Sequence, residues 1–228
     1  MVAAVVLAVV LVVLPSPGGG IMVTLASEHT AAATAARFTS GISGGPWQLT
    51  YALGFLGGGP ANTSRLVPRI PSCPIRNASP PGIIPALAPS ASVYRGMAQA
   101  WLLEFANPGG TTNLAVLVEN GGASELGQWS GSGCEPPAPL APPLIDSTTA
   151  AQALATNASG SAFIAAHPQA NATFILEYTS YPAGKEWKNA TIWIVDFQAP
   201  PAIPVEAEVF ASNGTIECVG AGPPYCPD

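Results

Sequence analysis

The chain has 228 residues, of which 48% are hydrophobic and only 9% charged, with a net charge of −6. That length suffices for one large domain or two small ones around a real core. The charge lies far below the ~25% of an average soluble protein, so glycans, a membrane or neighbouring subunits must cover the surface. With only two lysines, Lys185 and Lys188, and no basic stripe to neutralise phosphates, nucleic acid is excluded as a partner.

Met1–Leu14 is apolar throughout and Pro15–Gly20 breaks it; the first charge is Glu28. As a helix Met1–Leu14 would be about 21 Å long, short of a bilayer. A secretory signal fits the apolar length and the Thr-Leu-Ala before Ser27, but no basic residue precedes the apolar run. A third reading makes the segment an assembly element. Seven of its fourteen residues are valine, a strand former, and periodicity does not separate helix from strand in a short apolar run. The assembly residues are then Val2, Val5, Val6, Leu7, Val9, Val10, Leu11, Val12, Val13 and Leu14. They pack either as a helix in a filament core or as a donor strand completing a neighbour's sheet.

Glu28–Phe38 is Ala-rich and reads as a helix. Gly41–Gly45 formally matches G-x-S-x-G, with Ser43 as nucleophile. A nucleophile elbow needs strand before helix; here a helix precedes and the strand Trp47–Tyr51 follows, so the glycines read as a helix stop and turn. A Pro- and Arg-rich insertion, 57–96, comes next and holds Asn62, Cys73 and Asn77.

Trp101–Glu125 aligns without gaps on Trp193–Glu217. Trp101/Trp193, Phe105/Phe197, Pro108/Pro200, Ala115/Ala207, Gly122/Gly214 and Glu125/Glu217 are identical, and Glu104/Asp196 is conservative. Each copy reads as strand, Pro-bearing turn, strand, Gly turn. Upstream, Trp47–Tyr51 resembles Phe174–Tyr178, and each follows an Ala-rich stretch, the second being Thr148–Ala166. A unit of one helix and three strands, used twice, is the expectation, faintly resembling PepSY-like or cystatin-like modules. Glu104 and Asp196 could form a carboxylate pair for acid–base work, but alternation predicts that both face outward. His167, just before Pro168, reads as a helix C-terminal residue. No catalytic site is expected.

Six of nine asparagines stand in Asn-x-Ser/Thr: Asn62, Asn77, Asn157, Asn171, Asn189 and Asn213. In an exported chain these are N-glycosylation sites on the surface. Cys73, Cys134, Cys218 and Cys226 include no C-x-x-C pair and lie far in sequence from His29 and His167. Two disulfides in an oxidising compartment are expected, in any of three connectivities, and no metal or cofactor. The short spacing of Cys218 and Cys226 favours pairing them, which leaves Cys73 with Cys134. All five arginines (Arg37, Arg65, Arg69, Arg76, Arg95) lie between Glu28 and Glu104, whereas twelve of thirteen acids lie from Glu104 onward. A molecule with one basic and one acidic face associates head to tail, and a non-closing contact gives filaments.

An N-terminal charge-free segment, an Ala-rich continuation at "SEHTAAATAARF", a glycosylated β head and a Pro/Gly break at 15–20 together resemble the type IV pilins of archaeal surface filaments. The chain departs from that family in having Val5 where an acid is common, and in lacking a short basic leader ending in Gly. The resemblance implies a structural subunit at the cell surface, partnered by copies of itself, touching membrane only before assembly or as an anchor. The fold expected is α+β, mostly β: an apolar segment at 1–26, then a sandwich-like or helix-on-sheet head formed by units 27–134 and 135–228, with internal duplication as one origin. The alternative functions are a secreted or membrane-anchored binding module and, third, a secreted hydrolase.

Overall fold

The computed structural model describes residues 10–13, 22–56, 95–130, 138–168, 170–183 and 186–221. The fold is mostly β, with three helices: β1 (Val10–Val13), β2 (Met22–Leu25), α1 (Glu28–Thr39), β3 (Gln48–Leu56), β4 (Ala100–Ala106), β5 (Thr112–Glu119), β6 (Gly122–Ser130), α2 (Ser147–Thr156), α3 (Ala158–Ala166), β7 (Asn171–Ala183), β8 (Glu186–Gln198), β9 (Val205–Phe210) and β10 (Ile216–Ala221). Strands β3–β10 form one antiparallel sheet in the order β10-β9-β8-β7-β3-β4-β5-β6. The architecture is therefore helix-on-sheet; the sandwich alternative is not what these strands build.

One topology occurs twice. A helical stretch leads into a four-strand meander, α1-β3-β4-β5-β6 and then α2-α3-β7-β8-β9-β10, and the two meanders join through β3 and β7. The unit thus has four strands where the sequence suggests three. Gly54 lies opposite Trp101, and Leu176 opposite Trp193. With the two tryptophans equivalent, Leu53 corresponds to Ile175, and these two residues pair directly. An approximate twofold axis therefore passes between them, and the match of Tyr51 to Tyr178 is out of register.

The gapless repeat also slips in its second strand. Trp101 pairs with Val118 and Trp193 with Val209, one residue short of the gapless match. Between these paired residues the first hairpin holds 16 residues and the second 15, and a one-residue slip moves a strand's side chains to the opposite face. Ala115 accordingly lies beside Glu104 on the face away from the helices, and Ala207 lies beside Val195 on the helix-covered face.

The main core lies between that covered face and the helices. Small inward residues (Ala31 and Ala35 of α1, Ala150 and Ala151 of α2) let the helices sit close to Trp101, Phe105, Phe174, Trp193 and Phe197. Burying such aromatic and aliphatic side chains contributes about 1.5–3 kcal/mol each. A smaller apolar cluster, including Tyr51, Leu53, Leu102, Leu117 and Trp129, occupies the other face of the first half. The first meander is consequently buried on both faces along β4, whereas β9 alternates buried and half-exposed.

Turn chemistry explains the local order. Asn120 and Gly121 both take positive φ, 49° and 75°, in the β5–β6 turn, the two-residue connection that Asn-Gly favours. The expected second helix is two: Asn157, in extended conformation, ends α2 and caps α3. Gly160 fits there because a Cβ would come 2.0 Å from the Leu154 carbonyl oxygen.

At the N-terminus, Val10–Val13 pairs antiparallel with Met22–Leu25 as a separate two-strand ribbon. These four assembly residues are strand rather than helix. Val2, Val5, Val6, Leu7, Val9 and Leu14 lie outside the described residues. Among the described residues no helix is long and apolar enough to cross a membrane.

Candidate functional site

Two groups of polar side chains stand out, one where the helices begin and one on the uncovered half of the sheet.

The first backbone N–H groups of a helix lack intrahelical partners. In this chain α1 and α2 solve that problem jointly. The Asp146 Oδ1 accepts from Ser147 N at 2.8 Å, capping its own helix, and from His29 N at 3.2 Å, capping the other. Ser147 Oγ accepts from Glu28 N at 2.9 Å and donates to the Gly96 carbonyl at 2.7 Å. Gly96 has φ of 70°, and a Cβ there would meet the Ser147 carbonyl oxygen at 2.2 Å; only glycine permits this approach.

The Glu28 side chain is folded into the junction. The residue is 2% exposed, and its Oε2 has no hydrogen-bond partner. That oxygen lies 3.7 Å from His29 Nε2, whose side chain is 54% exposed. Burial, and secondarily the charge of Asp146, pushes the Glu28 carboxyl up to about 8. Glu28, His29 and Asp146 each offer one ligand atom, and these atoms lie within 4.8 Å of one another. No metal site is expected from the sequence, where the cysteines form no C-x-x-C pair and lie far from both histidines; His29 and Asp146 stand 117 positions apart. The signal available was the pairing of Glu28 with His29 directly behind an N-cap serine.

The second group lies on the uncovered face of β7–β10. Asp196 is directly opposite Glu206, with Glu208 two residues along the same strand. Burial, then Asp196, then Glu208 raise Glu206 to about 7. Glu208 is also raised, by burial and then by Glu217 and Glu177. Gln198 donates an amide hydrogen bond to Asp196 Oδ2. Like charges placed directly opposite in a sheet repel, so this face favours a cationic or protonating environment. Among the described side chains the arginines stand elsewhere, Arg37 in the last turn of α1 and Arg95 ahead of β4.

Glu104 and Asp196 share a face, but β3 and β7 separate their strands. They do not form a carboxylate pair. Glu104 is 7% exposed rather than outward-facing, because the first half of the sheet is buried on both sides. Ser43 is exposed in the turn after α1, ahead of β3, the reverse of a nucleophile elbow. His167 caps the end of α3, its N–H donating to the Phe163 carbonyl.

Four of the six sequons are described. Asn213 is exposed, and its Oδ1 accepts from Thr215 N at 2.8 Å. Asn157 is half-buried and accepts from Ser159 N at 3.0 Å. Both are Asx-turns between the sequon asparagine and its hydroxyl residue. Asn189 is exposed on β8, and Asn171 half-buried at the start of β7. Asn213 lines a groove of about 480 Å³ with Thr148, Thr149, Gln152 and Thr156 of α2. Asn62 and Asn77 lie outside the described residues. Cys218 is disulfide-bonded; Cys73, Cys134 and Cys226 lie outside the described residues.

Compared with protein-family models, with curated proteins and with solved structures, the chain matches none of them.

Proposed function

We propose that this chain is a structural subunit of an extracellular, N-glycosylated filament that assembles from copies of itself through its apolar N-terminal segment. The observation that carries this reading is the β1–β2 ribbon. It forms its own two-strand sheet of Val, Leu, Met and Thr residues, hydrogen-bonded separately from the eight-strand sheet and joined to the main core through Leu25. Such a ribbon is marginal alone in water and needs another apolar surface, and a second copy of the chain supplies one. Charge segregation supports the same reading. The acids of β7–β10 belong to the stretch from Glu104 onward and all five arginines precede it in sequence, so a head-to-tail contact between copies would join opposite charges, and one that does not close gives filaments. The Asx-turn sequons fit a glycan-covered surface that compensates for the low charge.

Negative-stain electron microscopy of detergent-free protein from its native cells tests this reading. Uniform fibres, lost when Val2–Leu14 is deleted while the head stays folded, are the expected result. Fibres that persist after the deletion would overturn it. The repeated helix-on-sheet unit favours a second reading, an anchored or secreted binding module. Monodisperse particles, or recovery only in detergent, support that one.

A further inference from the structure

We propose that Glu28, His29 and Asp146 bind one divalent transition-metal cation of borderline softness, of which zinc(II) is the probe, at the joint between α1 and α2. The donors are one imidazole nitrogen and two carboxylates. Three protein ligands with a fourth position left to solvent is a common zinc arrangement, whereas calcium asks for six to eight oxygens.

Each ligand atom is accounted for by the local structure. Glu28 Oε2 is buried, has no hydrogen-bond partner and sits 3.7 Å from His29 Nε2. Ligand atoms around a tetrahedral zinc, with bonds of about 2.0–2.2 Å, stand roughly 3.4 Å apart, so this pair is almost in place. The Asp146 Oδ1 is occupied by backbone N–H groups, but Oδ2 has only the 3.4 Å contact from Thr148 Oγ1. All three ligand atoms lie within 4.8 Å, and the exposed His29 ring is free to close the remaining gap. The two helix ends carry partial positive charge, which the Asp146 carboxylate offsets while the Glu28 carboxylate adds the second negative charge. A buried carboxyl with an unfilled oxygen is costly unless something occupies it, and a cation here supplies that partner. The ion would tie α1 to α2, and so one half of the sheet to the other.

Untagged, chelator-treated full-length chain titrated with zinc chloride at neutral pH in an isothermal calorimeter tests the site. The expected result is one saturable equivalent. Affinity should fall about tenfold or more in His29→Ala and in Glu28→Gln. His29 is exposed, and glutamine matches the protonated Glu28 side chain in size and shape, so both variants should fold; circular dichroism checks this. No saturable uptake below about millimolar zinc would overturn the proposal. So would uptake that survives both substitutions but disappears in Glu206→Gln/Glu208→Gln, because the cation would then sit on the sheet.

Discussion

The indole rings of Trp101 and Trp193 meet edge to face, with centroids 6.3 Å apart and planes at 76°. Each ring donates its N–H to the carbonyl two residues before a helix: Trp101 to Ala26 at 2.9 Å, ahead of α1, and Trp193 to Ile145 at 3.1 Å, ahead of α2. The two tryptophans thereby fix both helix starts against the sheet and couple the two halves. Trp193→Phe leaves the Ile145 carbonyl without its side-chain donor and should cost about 1–3 kcal/mol; Trp101→Phe should cost less, because the Ala26 carbonyl keeps the Ala98 N–H at 2.8 Å. The double variant should depart from additivity, because the rings touch. Urea denaturation of the two single variants and the double variant measures all three values.

Gly54 sits under the aromatic cluster. A Cβ there would lie 2.7 Å from the Trp101 ring, which stacks on Phe174 at 26°. Gly54→Ala should therefore destabilise by about 1–3 kcal/mol through overpacking and alter the near-UV circular dichroism of the tryptophans. A second substitution, Trp101→Leu, should reduce the penalty of the alanine. Equal penalties with either residue at 101 would show that ring crowding is not the cause.

Stability should fall as pH rises through the range set by Glu28. Its carboxyl titrates at about 8 in the folded chain against 4.5 in the reference state. The folded state thus holds the proton more tightly, and below 4.5 the difference has no effect on stability. Between about 4.5 and 8 the unfolded chain releases the proton first, and stability is lost progressively, by at most about 5 kcal/mol. In Glu28→Gln that part of the pH dependence should vanish, leaving the variant the more stable at pH 8. Denaturation midpoints at several pH values, in chelator, give the comparison, and parallel profiles for the two proteins would refute the assignment.

Assembly, if it uses the acidic face, should respond to charge on β9. Glu206 titrates at about 7 and Glu208 is also raised. Acidification below that range removes negative charge from the face and should weaken association, as should salt. Glu206→Gln/Glu208→Gln should show the same weakening at pH 8. Light scattering of detergent-free protein reads this, and association unchanged by pH, salt and substitution would exclude the face from the contact.

Glycopeptide mass spectrometry of native protein should find Asn213 modified, because it is exposed in a turn with Thr215 N already bonded to its side chain. Thr215→Ala should lose that one glycan while the other sequons keep theirs. An unmodified Asn213 in the native protein would remove it from the glycosylated set.

What was legible in the sequence followed from local chemistry. The Ala-rich run with Ser27 ahead of it specifies α1, since an N-cap and small apolar spacing need no long-range partner. The Asn-Gly turn and the paired Trp strands specify hairpins. The break at Asn157 was less visible, since Asn caps a helix only where the chain turns.

Sequence alone determined α1, the Trp-bearing strands with the turns that follow them, and the sequons, because each is set by residues a few positions apart. Only the tertiary structure decided which strand face is buried, because one residue more between paired positions of a hairpin reverses a strand's faces. That is why Ala115 and Ala207, matched in sequence, lie on opposite sides of the sheet, and why Glu104 is buried. Only the tertiary structure could bring His29 to Asp146: the two halves meet at β3 and β7, and that pairing carries the starts of two helices to one point.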